Sequence, residues 1–158
     1  MASAKRPNVH DCETEFDDED PEGYRAGMFR PGPELGAKET GMSVYDLPPG
    51  QAICPYHYEW AEEEWIVVVS GRPTLRTPAG EEKLKPGDVA FFERGPGGAH
   101  KVSNATDEPA RVVMFSSLKW PAATVYPDSD KVGIFPAPGG EERLLVRRSS
   151  AVDYFDGE

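Results

Sequence analysis

The chain has 158 residues, a length that most simply forms one domain with its own core. Its net charge of −11 makes nucleic acids and anionic membrane surfaces poor partners. Sixteen glycines and sixteen prolines interrupt it too often for long helices, so short strands and an all-β fold are predicted. There is no apolar leader segment and no apolar run long enough to span a membrane. These features favour the cytoplasm, where Cys12 and Cys54 are expected to be reduced thiols.

The first 22 residues form a compositionally distinct segment. Residues 11–22 hold eight acidic residues and no basic one, and large apolar side chains are almost absent there. Such a segment cannot bury enough apolar surface to offset the entropy lost on ordering it. We therefore predict a disordered acidic tail over residues 1–22 and a single domain over residues 23–158.

After the tail, short apolar or alternating runs are separated by turn residues, a pattern typical of a sandwich or barrel. No window shows the 3.6-residue apolar period of an amphipathic helix. The predicted strands lie within residues 24–29, 42–47, 63–70, 73–78, 81–85, 89–94, 99–103, 110–117, 130–135 and 142–147.

The candidate chemistry begins in the stretch CPYHYEWAEEEW, residues 54–65. His57 and Glu59 are two residues apart, so on a strand their side chains point to the same face. Glu64 follows a short acidic turn, and a hairpin there would bring it within cross-strand range of that pair. A carboxylate leading an otherwise apolar strand face is costly unless it is paired or coordinated. Cys54 has the opposite parity to His57 and is not predicted to be a ligand.

A second stretch, residues 87–104, supplies another histidine. Gly95, Gly97 and Gly98 surround a proline and allow the backbone to turn sharply and approach another strand closely. His100 follows directly and is placed to enter a strand. Imidazole and carboxylate donors together suit Mn, Fe, Ni, Co or Zn.

In this order and at this spacing, the two stretches resemble the two signature motifs of the cupin superfamily. Motif one covers residues 50–71 and motif two covers residues 87–104. The matching residues are His57, Glu59, Glu64 and Gly71 in motif one, and Gly87, Gly97, His100 and Asn104 in motif two. Glu59 stands where the usual motif has a second histidine. The resemblance implies that residues 23–158 form one cupin double-stranded β-helix, a jelly-roll-like β-barrel, and that the protein is a homodimer.

The resemblance also implies one divalent metal ion, Mn, Fe, Zn or Ni, bound by His57, Glu59, Glu64 and His100. Two interpretations of Glu59 stay open. As a ligand, it completes a site of two histidines and two carboxylates. Unligated, it is a general base beside a set of two histidines and one carboxylate, the arrangement of non-haem iron enzymes. Glu59 and Glu64 are the predicted catalytic residues.

The expected partner is a small-molecule substrate or ligand. Small cupins similar to this sequence are described as sugar-isomerase-like, which implies a metal-dependent isomerase, epimerase or lyase acting on a sugar or organic acid. Two alternatives remain: an Fe(II)-dependent dioxygenase, and a non-catalytic cupin that binds a small ligand. The sequence indicates neither a nucleic-acid nor a membrane partner.

Overall fold

The structure is a computed structural model that describes residues 6–138 and 142–158. Within those residues the secondary structure is almost entirely antiparallel β, which confirms the predicted all-β class. The strands are β1 (Gly27–Phe29), β2 (Thr40–Leu47), β3 (Tyr58–Glu59), β4 (Glu64–Ser70), β5 (Thr74–Thr77), β6 (Gly80–Lys83), β7 (Val89–Phe92), β8 (Lys101–Ser103), β9 (Ala110–Ser117), β10 (Ala122–Tyr126), β11 (Lys131–Phe135) and β12 (Leu144–Arg147). The helical elements are α1 (Gly32–Leu35) and three 3-10 turns at Pro96–Gly98, Pro127–Ser129 and Arg148–Ser150.

The strands form two packed layers. The first layer is one sheet in the order β1-β2-β9-β4-β7. The second consists of two smaller sheets, β12-β11-β10-β3 and β6-β5-β8. Isolated bridges pair Ala52 with Ser103 and His57 with His100, so the chain leading into β3 runs beside β8 and joins the two smaller sheets. This arrangement fits the predicted jelly-roll cupin fold.

The apolar core lies between the layers, at the end nearest β5 and β8. Ile66 of β4 and Val112 of β9 are fully buried and pack in one cluster with Leu75 and Val102 of the second layer. Each such side chain contributes about 1.5–3 kcal/mol when it is removed from water. Because this end is filled, the polar inward-facing residues collect at the other end of the sandwich.

Part of the predicted acidic tail contacts the domain. Glu15 pairs with Met28 of β1 through two backbone hydrogen bonds, of 3.0 and 2.8 Å. Arg111 on β9 donates a hydrogen bond of 3.2 Å to the carbonyl of Cys12. Residues 1–5 lie outside the described residues, and the division of the chain into tail and domain stays a prediction.

Strand β10 was not predicted from the sequence; it lies between two predicted strands and pairs with β3 and β11. Among the residues that the structure describes, no helix has the length and hydropathy that a membrane span requires.

Candidate metal centre

His57 and His100 lie directly opposite each other in an antiparallel bridge. The N–H of His57 donates to the carbonyl of His100 (3.1 Å), and the N–H of His100 donates to the carbonyl of His57 (2.8 Å). Opposed residues of an antiparallel pair point their side chains to the same face, and the two imidazole centroids are 4.6 Å apart. Gly98 permits the tight turn before His100, because a Cβ there would collide with the backbone of Glu93. His100 follows this turn directly and forms the bridge with His57.

Both imidazole rings are held through Nδ1. His57 Nδ1 donates to the carbonyl of Pro55 (3.0 Å), and His100 Nδ1 donates to the carbonyl of Gly98 (2.9 Å). Since a carbonyl can only accept, a neutral ring in either position keeps its proton on Nδ1. Each Nε2 then presents a lone pair toward the space between the layers, the state in which imidazole binds a metal.

Glu64, the first residue of β4, reaches the histidines from the opposite layer. Its Oε2 lies 3.4 Å from His100 Nε2 and 3.7 Å from His57 Nε2. The predicted hairpin is wrong, because β3 pairs with β10 whereas β4 pairs with β7 and β9. The turn between β3 and β4 carries the chain from one layer to the other, so Glu64 meets the histidines face to face.

The donor atoms of His57, Glu64 and His100 lie within 4.8 Å of one another. Glu64 Oε2 and His100 Nε2 are buried, and neither has a hydrogen-bond partner among the described residues. Two buried acceptor atoms facing each other are unfavourable unless a proton or a cation lies between them. Two imidazole nitrogens and a carboxylate oxygen are ligands that Mn, Fe, Zn and Ni accept. The three side chains therefore fit a divalent metal ion.

The charges of the three residues are coupled. Burial, together with the neighbouring His57, lowers the pKa of His100 to about 4. Burial also opposes protonation of His57, but Cys54 and Glu64 outweigh burial and raise its pKa. For Glu64, burial is opposed by the two histidines, and its pKa falls below the usual range.

Glu59 lies beside the three converging donors. The hydroxyl of Thr124, its cross-strand neighbour on β10, donates to its carboxylate and lies 2.7 Å from Oε1 and 2.8 Å from Oε2. Its Oε1 is 3.9 Å from His57 Nε2. Burial raises the pKa of Glu59 to about 7. Its place as a fourth ligand stays a prediction, as does its catalytic role.

Three residues around the site were not assigned to it from the sequence. Phe92 stacks on the His100 ring, with centroids 3.6 Å apart and planes inclined by 8°. Cys54 Sγ lies 3.5 Å from His57 Nδ1, on the side of the ring away from the other donors. Thr124 lies on the unpredicted strand. Of these three residues, only Phe92 could have been placed at the site from the sequence, because the alternation of side chains along β7 puts it on the inner face.

The other motif residues support the backbone. Asn104 is buried, and its amide donates 2.8 Å hydrogen bonds to the carbonyls of Leu47 and Glu108. Gly71 has φ of +77°, and a Cβ there would lie 2.5 Å from the Cα of Ala110. These positions tie neighbouring turns together and contribute no ligand.

The site opens into a cavity of about 770 Å³, a volume suited to a small molecule. His57, Glu59 and Glu64 line it. Other polar side chains in its lining include Ser43, Tyr45, Glu62, Ser116, Thr124 and Tyr126.

The sequence profile of the family described as "Cupin domain" matches residues 43–116. A protein provisionally named a sugar phosphate isomerase, from Acidithiobacillus ferrooxidans, superposes with a TM-score of 0.80 at 22% identity, covering 92% of this chain and 91% of that one. A sugar phosphate isomerase of the cupin superfamily from Silicibacter pomeroyi gives 0.79 at 23% identity, covering 96% and 98%. The polyketide cyclase RemF from Streptomyces resistomycificus gives 0.58 at 20% identity, covering 73% and 80%.

At these identities the structural likeness bears on the fold alone. A comparison with curated proteins gives no significant match. The profile match runs from β2 to β9 and contains both motifs, and the fold of the solved cupins extends over most of the chain. Residues 43–116 match the cupin domain family, and the chain has the fold of solved cupins over most of its length.

Proposed function

We propose that this cupin is a metal-dependent enzyme that isomerises or epimerises a small polar substrate, a sugar or an organic acid, or eliminates a group from it. The observation that carries the proposal is the convergence of His57, Glu64 and His100 on one point, with His57 and Glu64 lining a cavity. A bound Mn, Fe, Zn or Ni ion would act as a Lewis acid on a carbonyl or hydroxyl oxygen of the substrate. The names of two structural relatives, both sugar phosphate isomerases, support this class.

Glu59 is the proposed general base. Its carboxylate lines the cavity, lies beside the ligands and is held by Thr124 on the neighbouring strand. In an isomerisation, Glu59 accepts a proton from the hydroxyl-bearing carbon next to a carbonyl and returns it to the carbonyl carbon, while the hydroxyl proton passes to the carbonyl oxygen, so the residue ends in its starting state. Glu64 is assigned as a ligand, because its Oε2 faces both histidine Nε2 atoms.

The variant Glu59→Gln tests whether Glu59 acts as the general base or as a fourth metal ligand. We expect the variant to keep the metal content of the native protein, measured by elemental analysis. It should lose the exchange of substrate C–H hydrogen with deuterated water, followed by proton NMR over a panel of sugars, sugar phosphates and hydroxy acids. Undiminished exchange would remove Glu59 as the base, and a loss of metal in this variant would make it a fourth ligand. If the wild type binds panel members without exchange or turnover, the non-catalytic alternative is favoured.

A second candidate function is an Fe(II)-dependent dioxygenase. The specific observation in its favour is that the converging donors are two histidines and one carboxylate, the set found in non-haem iron oxygenases. Substrate-dependent oxygen consumption by the iron-loaded protein, measured with an oxygen electrode, would place this candidate first.

We also propose a homodimer, formed through the aromatic face, which consists of Trp65, Phe91 and Phe115 on the outer side of the first layer. Trp65 is paired with both other residues across β7, β4 and β9. Their side chains remain 40–46% exposed, and such a continuous apolar surface is typical of an interaction site. Cytoplasmic location stays part of the proposal, and the unpaired thiols of Cys12 and Cys54 support it.

A further inference from the structure

One basic side chain, that of Arg30, faces the cavity. Arg30 directly follows β1 and shares parity with Met28, whose cross-strand partner is Tyr45 on the inner face of β2. Strand alternation therefore places both Met28 and Arg30 on the cavity side of the sheet, and both line the cavity. No other lysine or arginine is found in the cavity lining among the described residues.

Within residues 6–138 and 142–158, the guanidinium of Arg30 has no acidic partner. Among the described residues, no carboxylate lies within ion-pair distance of it, whereas Arg25, Arg76 and Arg111 each pair with one. Arg30 is exposed at the cavity mouth, so its donors are available to a ligand that enters. A guanidinium presents them in a planar fork that matches carboxylate or phosphate oxygens.

Tyr45 connects this position with the metal site. It is the cross-strand partner of Met28 and lines the same cavity as Arg30 and Glu64. One small molecule in the cavity could therefore face the metal ligands at one end and the guanidinium at the other.

The lining also holds four carboxylates, those of Asp20, Glu59, Glu62 and Glu64, together with the imidazole of His57. The carboxylates disfavour an anion in the cavity, whereas the guanidinium of Arg30 attracts one. A neutral sugar would need no cation at the mouth, whereas an anionic substrate would need one to enter and to be oriented.

We propose that Arg30 binds the anionic group, a phosphate or a carboxylate, of the substrate that the metal site transforms. This inference rests on the proposed function and specifies its substrate class: a small polyhydroxy compound whose oxyanion lies at the end away from the metal ligands. Arg30 is thereby a specificity-determining residue and takes no part in the proton transfer.

The test compares three probes by isothermal titration calorimetry on metal-loaded protein: a hexose 6-phosphate, a hexuronic acid and the parent neutral hexose. We expect the wild type to bind one anionic probe about tenfold or more tightly than the hexose, and the tighter probe identifies the oxyanion. Arg30→Met should abolish this preference and leave hexose affinity unchanged, while Arg30→Lys should retain part of it. Arg94→Met is the matched control, because Arg94 is exposed but does not line the cavity.

Equal affinity of the wild type for the three probes, or no binding of either anionic probe, would overturn the inference. So would a full anion preference in Arg30→Met, or its equal loss in Arg94→Met. Elemental analysis of the same samples keeps the two proposals distinguishable. Protein that binds no metal refutes the proposed function, whereas protein that binds metal without preferring anions refutes only the role of Arg30.

Discussion

Glu64 Oε2 and His100 Nε2 lie 3.4 Å apart, although the two residues belong to opposite layers of the sandwich. Both atoms are buried acceptors, and the described residues offer neither of them a hydrogen bond. With His57 they leave one position where a cation would satisfy all three side chains together. The predictions below test this position and the structure that supports it.

Replacing either His57 or His100 with alanine should lower metal affinity more than about tenfold, because two donors remain where three converge. Elemental analysis after dialysis against a weak chelator measures the loss. His10→Ala is the control, since His10 is exposed and lies outside the site. Native metal content in both site variants would refute the ligand assignment.

Phe92→Ala should lower the free energy of unfolding by about 3–5 kcal/mol, because the ring is 4% exposed and its loss leaves a cavity. The variant should also bind metal less tightly, since the stacked ring of His100 loses its support. Urea denaturation and metal titration measure the two effects. Phe155→Ala removes the same atoms from a side chain that is 77% exposed and should change neither quantity. A destabilised Phe92 variant with native metal affinity would show that the stack does not orient the ligand.

The Asp46–Arg111 pair should make stability depend on acid pH. Hydrogen bonding to Arg111 holds the pKa of Asp46 below its usual range. The stabilisation is therefore complete above the unfolded-state pKa of about 3.9 and is lost as the pH falls through the lower folded-state value. Asp46→Asn should lower the free energy of unfolding by roughly 1–2 kcal/mol at pH 7. This value lies between those of exposed and buried ion pairs, because the pair is partly exposed.

Urea denaturation at a series of pH values measures this difference. The difference in free energy of unfolding between wild type and Asp46→Asn should be constant from about pH 5 to pH 8 and should become smaller below about pH 4. A gap that stays unchanged down to pH 2 would mean that the Asp46 charge is not the source of the effect.

Trp65→Glu should convert the proposed dimer to monomers, because it places a charge in the middle of the aromatic face. Sedimentation velocity measures the oligomeric state. Ile134→Glu is the control, since Ile134 is 40% exposed but lies in the other layer. A monomeric wild type, or a dimeric Trp65→Glu variant, would rule out this interface.

The positions of His57, Glu64 and His100 could be predicted because the motif spacing specifies which side chains point inward. The layer that carries Glu64 could not be predicted from the sequence. The short turn between β3 and β4 is compatible with a hairpin or with a crossing to the facing sheet, and only packing between the layers decides. Thr124 is separated from Glu59 by 65 residues, and its strand was not recognised from the sequence. A local sequence pattern therefore could not show that the two residues are neighbours.

The His57–His100 bridge and Glu64 also bear on folding. The three candidate ligands are spread over 44 residues of sequence, from 57 to 100, and they meet only when both layers have closed. An unfolded chain therefore offers the ion no comparable site, and binding draws the equilibrium toward the native state. A bound ion would act as a reversible cross-link between the sheets, so removing it with a chelator should lower the melting temperature even in the absence of substrate.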